Sequence, residues 1–318
     1  MRVFLALWAT VPLAAQVTTG MISGYVFDPS RRPVSGALVT ARQKERGLER
    51  TARTDSSGLY VLAGLVPALY DVAATAPNFE AAGAPVEVTV DSRRRADFHL
   101  VVAGVRQSVD VPATVPLVMS GSAELGAVLD RARIESLPLN RRDFLQLALL
   151  APGVLPPVQD SELSGRGSFA MHAAGAREEF NNYLIDGVDN NDAYVNTFSL
   201  QPPVDAIQEF KIAVSAYSAE YGRGGGGQVN VITRGGSNAF HGSLYEYLRN
   251  RVVDARNFFD GPERPKYIRN QFGAAAGGAA APDRTFWFAS FDSLRERRGL
   301  ARLAAVPGAA ERSGDFSA

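Results

Sequence analysis

The most constraining feature of this sequence is a series of short β-rich runs separated by turn residues, from residue 21 to about residue 102. Runs of this length at close spacing are typical of an antiparallel β-sandwich, in which alternate side chains of each strand enter a shared core. The strongest turn is Asp-Ser-Ser-Gly at residues 55–58, because each of these residue types favours turn conformations. The predicted strands are residues 21–27, 37–42, 50–54, 59–62, 70–75, 86–90 and 96–102.

The composition limits the chemistry that the chain can perform. Its 33 basic and 33 acidic residues balance, so no long-range field favours nucleic acid as a partner. It contains no cysteine and three histidines, which excludes thiolate metal sites and disulfides and leaves little for zinc or imidazole catalysis. We therefore expect no enzyme activity and no catalytic, cofactor-binding or metal-binding residues, and substrate-binding residues stay unassigned.

The amino terminus has the features of a secretory signal peptide. A short basic start at Arg2 precedes an apolar stretch over residues 3–13, and small residues end the segment at Ala15. This pattern predicts cleavage after Ala15, so that residues 1–15 are removed. No later run reaches 18 apolar residues, which predicts no transmembrane helix. Export then leads to the periplasm, to secretion or to insertion as a β-barrel.

The first predicted domain, residues 16–103, resembles the carboxypeptidase regulatory-like domain, a transthyretin-like sandwich. The resemblance rests on GYVFD at residues 24–28, PVSGA at 33–37, TDSSGLY at 54–60 and YDV at 70–72. It implies a carbohydrate-binding-like fold, for which Tyr25, Tyr60, Tyr70 and Phe79 are candidate sugar-stacking residues. Aromatic residues at strand alternation are more commonly core residues. His99 is interpreted as an edge histidine with satisfied hydrogen bonds and not as a ligand.

A linker is predicted over residues 104–116, and a region of mixed helices and strands follows it. Apolar residues at helical spacing between residues 120 and 133 predict a helix, and a second helix is predicted over 144–150 with its cap in 140–143. A short helix that turns into a strand is predicted over 203–212. Further strands are predicted at residues 168–172, 183–188 and 226–233.

Four blocks of this region resemble the plug domain of TonB-dependent outer-membrane receptors, in the version of the Oar-like group. They are LPLNRRDF at residues 137–144, NYLIDG at 182–187, IQEF at 207–210, and YSAEYGRG at 217–224 with VNVIT at 229–233. The resemblance implies a plug domain over residues 117–236 that occludes a barrel. It also implies a TonB-type energy-transducing protein as the partner that moves the plug.

Three motifs in this region have an ordinary structural interpretation as well as a chemical one. The glycines of residues 222–227 match a dinucleotide-binding pattern, but they lead into a strand and not into a helix. They are expected to let the backbone pass close to a barrel wall or to adopt positive φ. An oxygen-rich turn lacks the spacing of an EF-hand and is expected to be solvated, and Glu178 and Glu179 are expected on an exposed face. The turn contains Asp186, Asp189, Asn190, Asn191 and Asp192.

The last region, residues 237–318, alternates in the manner of membrane β-strands. Candidate strands span residues 239–248, 269–280 and 285–293, with Trp287, Ala289 and Phe291 on one face of the third. The motif GSNAFHG at 236–242 and FWF at 286–288 again resemble the Oar-like group. Receptors of this kind have roughly 22 strands, which is far more than residues 237–318 can form. We expect a fragment, a truncated gene or one part of a split receptor.

The predicted fold is mainly β: a transthyretin-like sandwich, an α+β plug domain and the first strands of an incomplete transmembrane barrel. The predicted function is that of the amino-terminal part of a TonB-dependent transporter of the cell outer membrane, whose plug gates uptake of an unidentified substrate, with carbohydrate and peptide among the candidates. The alternative is a secreted or periplasmic carbohydrate-binding protein with a barrel remnant. Residues 109–118 are a weak candidate for a TonB box.

Overall fold

A computed structural model of the chain describes residues 19–103, 123–157, 170–194, 196–256, 264–299 and 306–317. The described residues are mainly β-structure and form two compact units. One unit comprises the described residues up to His241 together with Ala276–Ala289, and the other comprises Gly242–Ala275 and the described residues from Ser290 onward. No helix in these ranges has the length and apolar character needed to cross a membrane.

The first unit begins with a β-sandwich of ten strands. These are β1 Gly20–Phe27, β2 Leu38–Gln43, β3 Leu48–Arg53, β4 Leu59–Leu65, β5 Ala68–Thr75, β6 Phe79–Glu80, β7 Ala82–Val88, β8 Arg93–Arg95, β9 Phe98–His99 and β10 Val101–Val102. One sheet has the order β4-β1-β8 with β9 also on β1, the other has the order β3-β2-β5-β7, and β6 pairs with β10. Every predicted strand overlaps one of these, and the last predicted strand is divided into β9 and β10.

The sandwich core follows from strand alternation. Strand β1 buries every second residue, and Ile22 and Val26 are fully buried. Tyr60 and Tyr70 belong to the same core. The Tyr60 hydroxyl donates a 2.6 Å hydrogen bond to the Ala96 carbonyl, so its one polar atom is satisfied inside the core.

The helix predicted between residues 120 and 133 is wrong for most of its length. Strand β11, Leu125–Asp130, occupies this stretch, and the helix α1, Arg131–Ser136, begins only after it. Ala127 and Leu129 lie on the core face of the strand, so the apolar residues also fit a period of two. Pairing with a neighbouring strand therefore prevailed over a short helical pattern. The Asp130 side chain caps α1 by accepting from the Arg133 N–H.

A five-stranded sheet forms the second half of the first unit. Its strands are β11, β14 Asn182–Ile185, β15 Val188–Asp189, β16 Ile207–Ser215 and β17 Gln228–Thr233, and their order is β11-β16-β17-β14-β15. Strands β12 Val154–Leu155 and β13 His172–Ala173 form a separate pair. The predicted helix at 144–150 is present as the 3-10 helix Phe144–Leu150, and the Asp143 side chain caps it by accepting from the Leu145 N–H. The short helix that turns into a strand is confirmed as Val204–Ala206 followed by β16.

A three-stranded sheet completes the fold. Its strands are β18 His241–Asn250, β19 Tyr267–Ala281 and β20 Thr285–Arg298, in the order β18-β19-β20. Each predicted strand of this region is present, and β20 extends five residues beyond the predicted end. A short helix, α2 Ala309–Arg312, follows near the carboxyl end of the described residues.

Candidate functional site on the polar face of the five-stranded sheet

The two faces of strand β16 have opposite chemistry. Phe210 and Ile212 point into the apolar core of the sheet, and Glu209 and Lys211 lie on the opposite face. A polar face on a two-layer fold ordinarily contacts water. Here Glu209 and Lys211 are only 5% and 6% exposed, because the sandwich covers them. We define this covered surface, with Glu209, Lys211, Gln228 and Asn230, as the polar face.

Lys211 is the centre of an ionic cluster. Its Nζ lies 3.0 Å from Oδ2 of Asp91, in the sandwich, and 2.9 Å from Oε1 of Glu124, just before β11. The Tyr221 hydroxyl donates to the same Asp91 oxygen at 3.2 Å. A buried ammonium group is costly unless it is paired, and here two carboxylates compensate it.

Glu209 forms a second connection to the sandwich. Its Oε1 accepts a 2.7 Å hydrogen bond from the backbone N–H of Val90. The pKa of Glu209 is raised to about 7, mainly by burial and in part by the nearby Glu87 carboxylate, against the lowering effects of the Val90 N–H and of the cations Lys211 and Arg94. The group therefore titrates close to neutral pH.

Side-chain amides occupy the rest of the polar face. The Asn182 Nδ2 donates to Gln228 Oε1 at 2.8 Å, and Asn191 donates to Asn182 Oδ1 at 2.7 Å. Asn230 is 3% exposed and lies beside Tyr221, yet neither atom of its amide makes a hydrogen bond of acceptable geometry within the described residues. The face is thus polar, buried and incompletely satisfied, unlike an ordinary core.

A cleft of about 570 Å³ lies between the sandwich and this face. Gln43, Arg46 and Glu87 line it from the sandwich, and Glu209 and Arg234 line it from the sheet. Arg234 is already engaged, since its Nη1 donates to the Asp205 carbonyl. The cleft has charges of both signs and so does not select one charge of ligand.

The glycine-rich segment at residues 222–227 lies close to the backbone of Phe180, the last residue of the 3-10 helix Glu178–Phe180. A Cβ on Gly224 would lie 2.0 Å from the carbonyl oxygen of Phe180, and one on Gly226 would meet the same residue at 2.9 Å. None of these glycines has positive φ, whereas Arg223 does, at 71°. Positive φ, one of the two alternatives predicted for these glycines, is not observed, and passage close to a barrel wall stays a prediction. No helix follows the segment, so its geometry is not that of a dinucleotide site.

The oxygen-rich turn satisfies its side chains internally. Asp186 accepts from the backbone N–H and the hydroxyl of Thr233, at 2.8 and 2.6 Å. Asp189 accepts from Asn191 and pairs with Arg223 at 3.0 Å. Across the described ranges, no group of three or more His, Asp or Glu residues could hold a metal ion. The partners of Asp186 and Asp189 explain why: their oxygens are already occupied.

The expectation that Glu178 lies on an exposed face is wrong. Glu178 is buried, with its Oε1 3.5 Å from Nε2 of His172, while Glu179 is exposed as expected. Asn181 holds this turn, since its Nδ2 donates to the Glu178 and Met171 carbonyls and its Oδ1 accepts from the Gly227 N–H. The contact with Gly227 joins segments 46 residues apart and so has no signal in the local sequence.

The aromatic candidates of the sandwich divide into two groups. Tyr60 and Tyr70 are core residues, and Phe79 is half-buried. Tyr25 stacks on Phe27 with ring centroids 5.9 Å apart, and Phe27 stacks on the exposed His99 at 5.5 Å. Rings stacked on each other expose mainly their edges, whereas sugar stacking requires an open ring face.

Glu209 and Lys211 were not identified from the sequence as functional residues. They alternate with apolar residues in a predicted strand, and that pattern ordinarily indicates exposure to solvent. Only the approach of the sandwich buries them. The predicted linker from residue 104 to 116 and the candidate TonB box at 109–118 lie outside the described residues.

Two domain families match parts of the chain. Residues 21–101 match the carboxypeptidase regulatory-like domain, and residues 232–318 match the outer membrane β-barrel domain. Over 296 residues the chain is 26% identical to the TonB-dependent transporter Oar of Myxococcus xanthus, an alignment that covers 87% of this chain and 27% of Oar. The chain thus spans about a quarter of the length of this curated relative.

Solved structures give weaker similarities. The siderophore receptor PirA from Acinetobacter baumannii is 20% identical over 53% of this chain and 24% of that chain, with a TM-score of 0.42. The hydroxyquinol 1,2-dioxygenase from Pseudomonas putida DLL-E4 is 12% identical over 28% of this chain and 58% of that chain, with a TM-score of 0.23. These scores are too low to bear on function. The sequence matches indicate an outer-membrane location, and the chain is similar to the TonB-dependent transporter Oar, with a carboxypeptidase regulatory-like domain and an outer membrane β-barrel domain.

Proposed function

We propose that this chain is part of a TonB-dependent transporter of the outer membrane. Residues 16–103 form its periplasmic sandwich, residues 117–236 its plug domain, and residues 237–318 the first strands of its barrel. In this proposal the five-stranded sheet occludes the barrel, and a TonB-type protein displaces it so that an as yet unidentified substrate passes. The chain itself performs no chemical reaction.

The observation that carries the proposal is the separation of polar and apolar side chains in the three-stranded sheet. On one face Leu244 is 87% exposed, and the rings of Phe272 and Phe291 lie 6.4 Å apart. On the other face Tyr245 donates to Asp292 at 2.7 Å. Exposed Leu244 and Phe291 side chains on the face opposite to hydrogen-bonded polar groups are typical of a barrel wall between lipid and lumen.

The polar ladder continues along the same face. Gln271 Nε2 donates to Asp292 at 3.3 Å, and the Tyr267 hydroxyl donates to Glu296 at 3.4 Å. These cross-strand bonds pair polar side chains on one face of the sheet, as expected of a face toward a barrel lumen. The similarity to Oar supports the same interpretation.

Residues 1–318 contain no cysteine, which allows a direct test of this orientation once any cysteine elsewhere in the full protein is replaced by serine. Single Leu244→Cys and Ser243→Cys variants of the full natural protein would be labelled with an environment-sensitive fluorophore in vesicles that contain brominated lipid. We expect quenching at position 244 and little at position 243, because neighbouring residues of a strand face opposite sides. Equal quenching at both positions, or recovery of the protein as a soluble periplasmic species, would contradict the proposal.

The transport step has a separate test. The full natural protein, in detergent, should bind the isolated carboxy-terminal domain of the TonB-type protein of its own cell in a saturable manner. The same protein from which residues 16–122 have been removed tests whether the amino-terminal region carries this interaction. A full-length protein that does not bind that domain would contradict TonB-dependent transport.

The alternative of a carbohydrate-binding protein has little support in the geometry. The half-buried Tyr25 and Phe27 and the exposed His99 stack on one another. The Arg95 guanidinium lies over the Tyr25 ring, 5.6 Å from its centroid. These rings therefore do not form a flat sugar-binding platform.

A further inference from the structure

The sandwich and the five-stranded sheet have separate apolar cores. The core of the sheet is centred on Phe144 and Phe210, and that of the sandwich on Tyr60 and Tyr70, with no residue in common. What joins the two at the polar face is a set of hydrogen bonds and ion pairs. Polar interfaces between domains are the kind that separate and reform, because each domain keeps its own core when the interface opens.

The element of the sandwich that makes these bonds is the turn at residues 89–92. The Ser92 hydroxyl closes the turn by donating to the Thr89 carbonyl at 2.7 Å and accepting from the Thr89 N–H at 3.0 Å. Strand β1 holds it from behind, since Met21 N–H donates to the Ser92 carbonyl at 2.8 Å. The turn is thus a rigid projection of the sandwich.

Asp91 stands in this turn with a φ of 55°, a left-handed conformation that costs roughly 1 kcal/mol or more for a residue with a side chain. Glycine would adopt this conformation without strain. The carboxylate that the strained position carries is the one that contacts Lys211 and Tyr221. Aspartate adopts this conformation more readily than most residues, and here the conformation places its carboxylate against Lys211.

The Val90 N–H points away from its own sandwich. The acceptor that the structure shows for it is Glu209 Oε1, at 2.7 Å, although Val90 itself is 1% exposed. A buried N–H whose partner belongs to the other domain is left unsatisfied if the domains part, unless water enters. Hydrogen exchange at the Val90 amide therefore reports whether the turn is in contact with Glu209 of strand β16.

We propose that the 89–92 turn is a releasable docking element, which holds the sandwich on strand β16 through Asp91 with Lys211 and through the Val90 N–H with Glu209. Its release frees the polar face of the sheet. The order of events in uptake, with release of the turn before movement of the sheet, rests on the proposed function. The docking of the turn does not rest on that function, because the contacts described above establish it.

The experiment is amide-resolved hydrogen exchange on the full chain, with Asp91→Asn as the test and Asp28→Asn as the matched control. Asparagine tolerates the left-handed conformation, so Asp91→Asn removes the charge and keeps the turn. Asp28 lies in another turn of the sandwich, where its carboxylate accepts from Ser30 and Arg32 and contacts nothing in the sheet. The Val72 amide, in strand β5 of the sandwich core, reports whether the sandwich stays folded.

We expect Asp91→Asn to accelerate exchange at Val90 by about tenfold or more, with Val72 unchanged, because a charge-assisted contact is lost. Asp28→Asn should leave Val90 as in the natural chain. In the double variant with Asp91→Asn and Lys211→Met, exchange at the Val90 amide should be little faster than in Lys211→Met alone, since both substitutions remove the same contact between Asp91 and Lys211. If Lys211→Met does not fold, the comparison of the two aspartate variants decides.

Protection of Val90 that is unchanged in Asp91→Asn, or lost equally in Asp28→Asn, would overturn the docking proposal. The readout is independent of uptake. If the full protein does not bind the TonB-type domain but Asp91→Asn accelerates exchange at the Val90 amide, the proposed function is refuted and the docking proposal is supported.

Discussion

The Nζ of Lys211 lies 3.0 Å from Oδ2 of Asp91, and this contact joins a strand of the five-stranded sheet to a turn 120 residues earlier in the chain. Both groups are largely buried, with side-chain exposures of 7% and 16%. At such burial a broken pair leaves a charge without compensation. The contact therefore has consequences for stability that an exposed pair would not have.

Lys211→Met is expected to lower the free energy of unfolding by on the order of 3 kcal/mol, because Asp91 and Glu124 remain buried without their cation. The matched control is Lys44→Met, which breaks the exposed Lys44–Asp71 pair, with side-chain exposures of 78% and 46%. That control should cost less than about 0.5 kcal/mol. Urea unfolding of both variants measures the difference, and equal midpoints would contradict the assigned role of Lys211.

Glu209 predicts a pH dependence of stability. Its pKa is raised from 4.5 to about 7 in the folded chain, so the folded chain holds this proton more tightly than the unfolded chain does. The stabilisation from the protonated carboxyl group is fully present below the pKa of the unfolded chain, and it is lost as pH rises through the pKa of the folded chain. Between about pH 5.5 and about pH 8 this group should cost the folded chain about 2 kcal/mol.

The variant Glu209→Gln should remove that part of the pH dependence, because glutamine does not ionise. Glu49→Gln, on the exposed edge strand β3, serves as the control and should keep the full dependence. Urea unfolding at both pH values measures it. A Glu209→Gln chain with the same pH profile as the natural chain would show that the assignment is wrong.

Gly224→Ala is expected to destabilise the five-stranded sheet by about 1–3 kcal/mol or more, because the new methyl group would lie 2.0 Å from the Phe180 carbonyl oxygen. Gly222→Ala is the matched control two residues earlier. A Cβ there meets nothing within 4 Å, and its φ is not positive. Thermal unfolding should rank the two variants clearly, and similar midpoints would argue against the close approach at Gly224.

Calcium is expected to leave the stability of the chain unchanged. Both oxygens of Asp186 are bonded to Thr233, and Asp189 is bonded to Asn191 and Arg223. A cation would have to displace these partners before it could bind. Thermal unfolding with added calcium and with a chelator tests this expectation, and a rise in the midpoint with calcium would refute it.

Local patterns in the sequence were sufficient for most strands. Turn chemistry at residues 55–58 and alternation along β1 are properties of neighbouring residues, and so are the strands of the three-stranded sheet. The one wrong helix has the same cause. Leu125, Val128 and Leu129 fit a helical period, whereas Ala127 and Leu129 fit a period of two, and the choice between the two depends on β16, Ile207–Ser215, which pairs with β11.

What the sequence by itself determined is the set of strands, the turns between them and a chain without thiol chemistry, because each depends on residue type and near neighbours. Only the tertiary structure decided that Glu209, Lys211 and Glu178 are buried, since burial of a polar side chain depends on what packs over it. For Lys211 that cover is a turn of the sandwich whose sequence gives no sign of its partner. The functional surface therefore arises from contacts between distant segments, which no local pattern encodes.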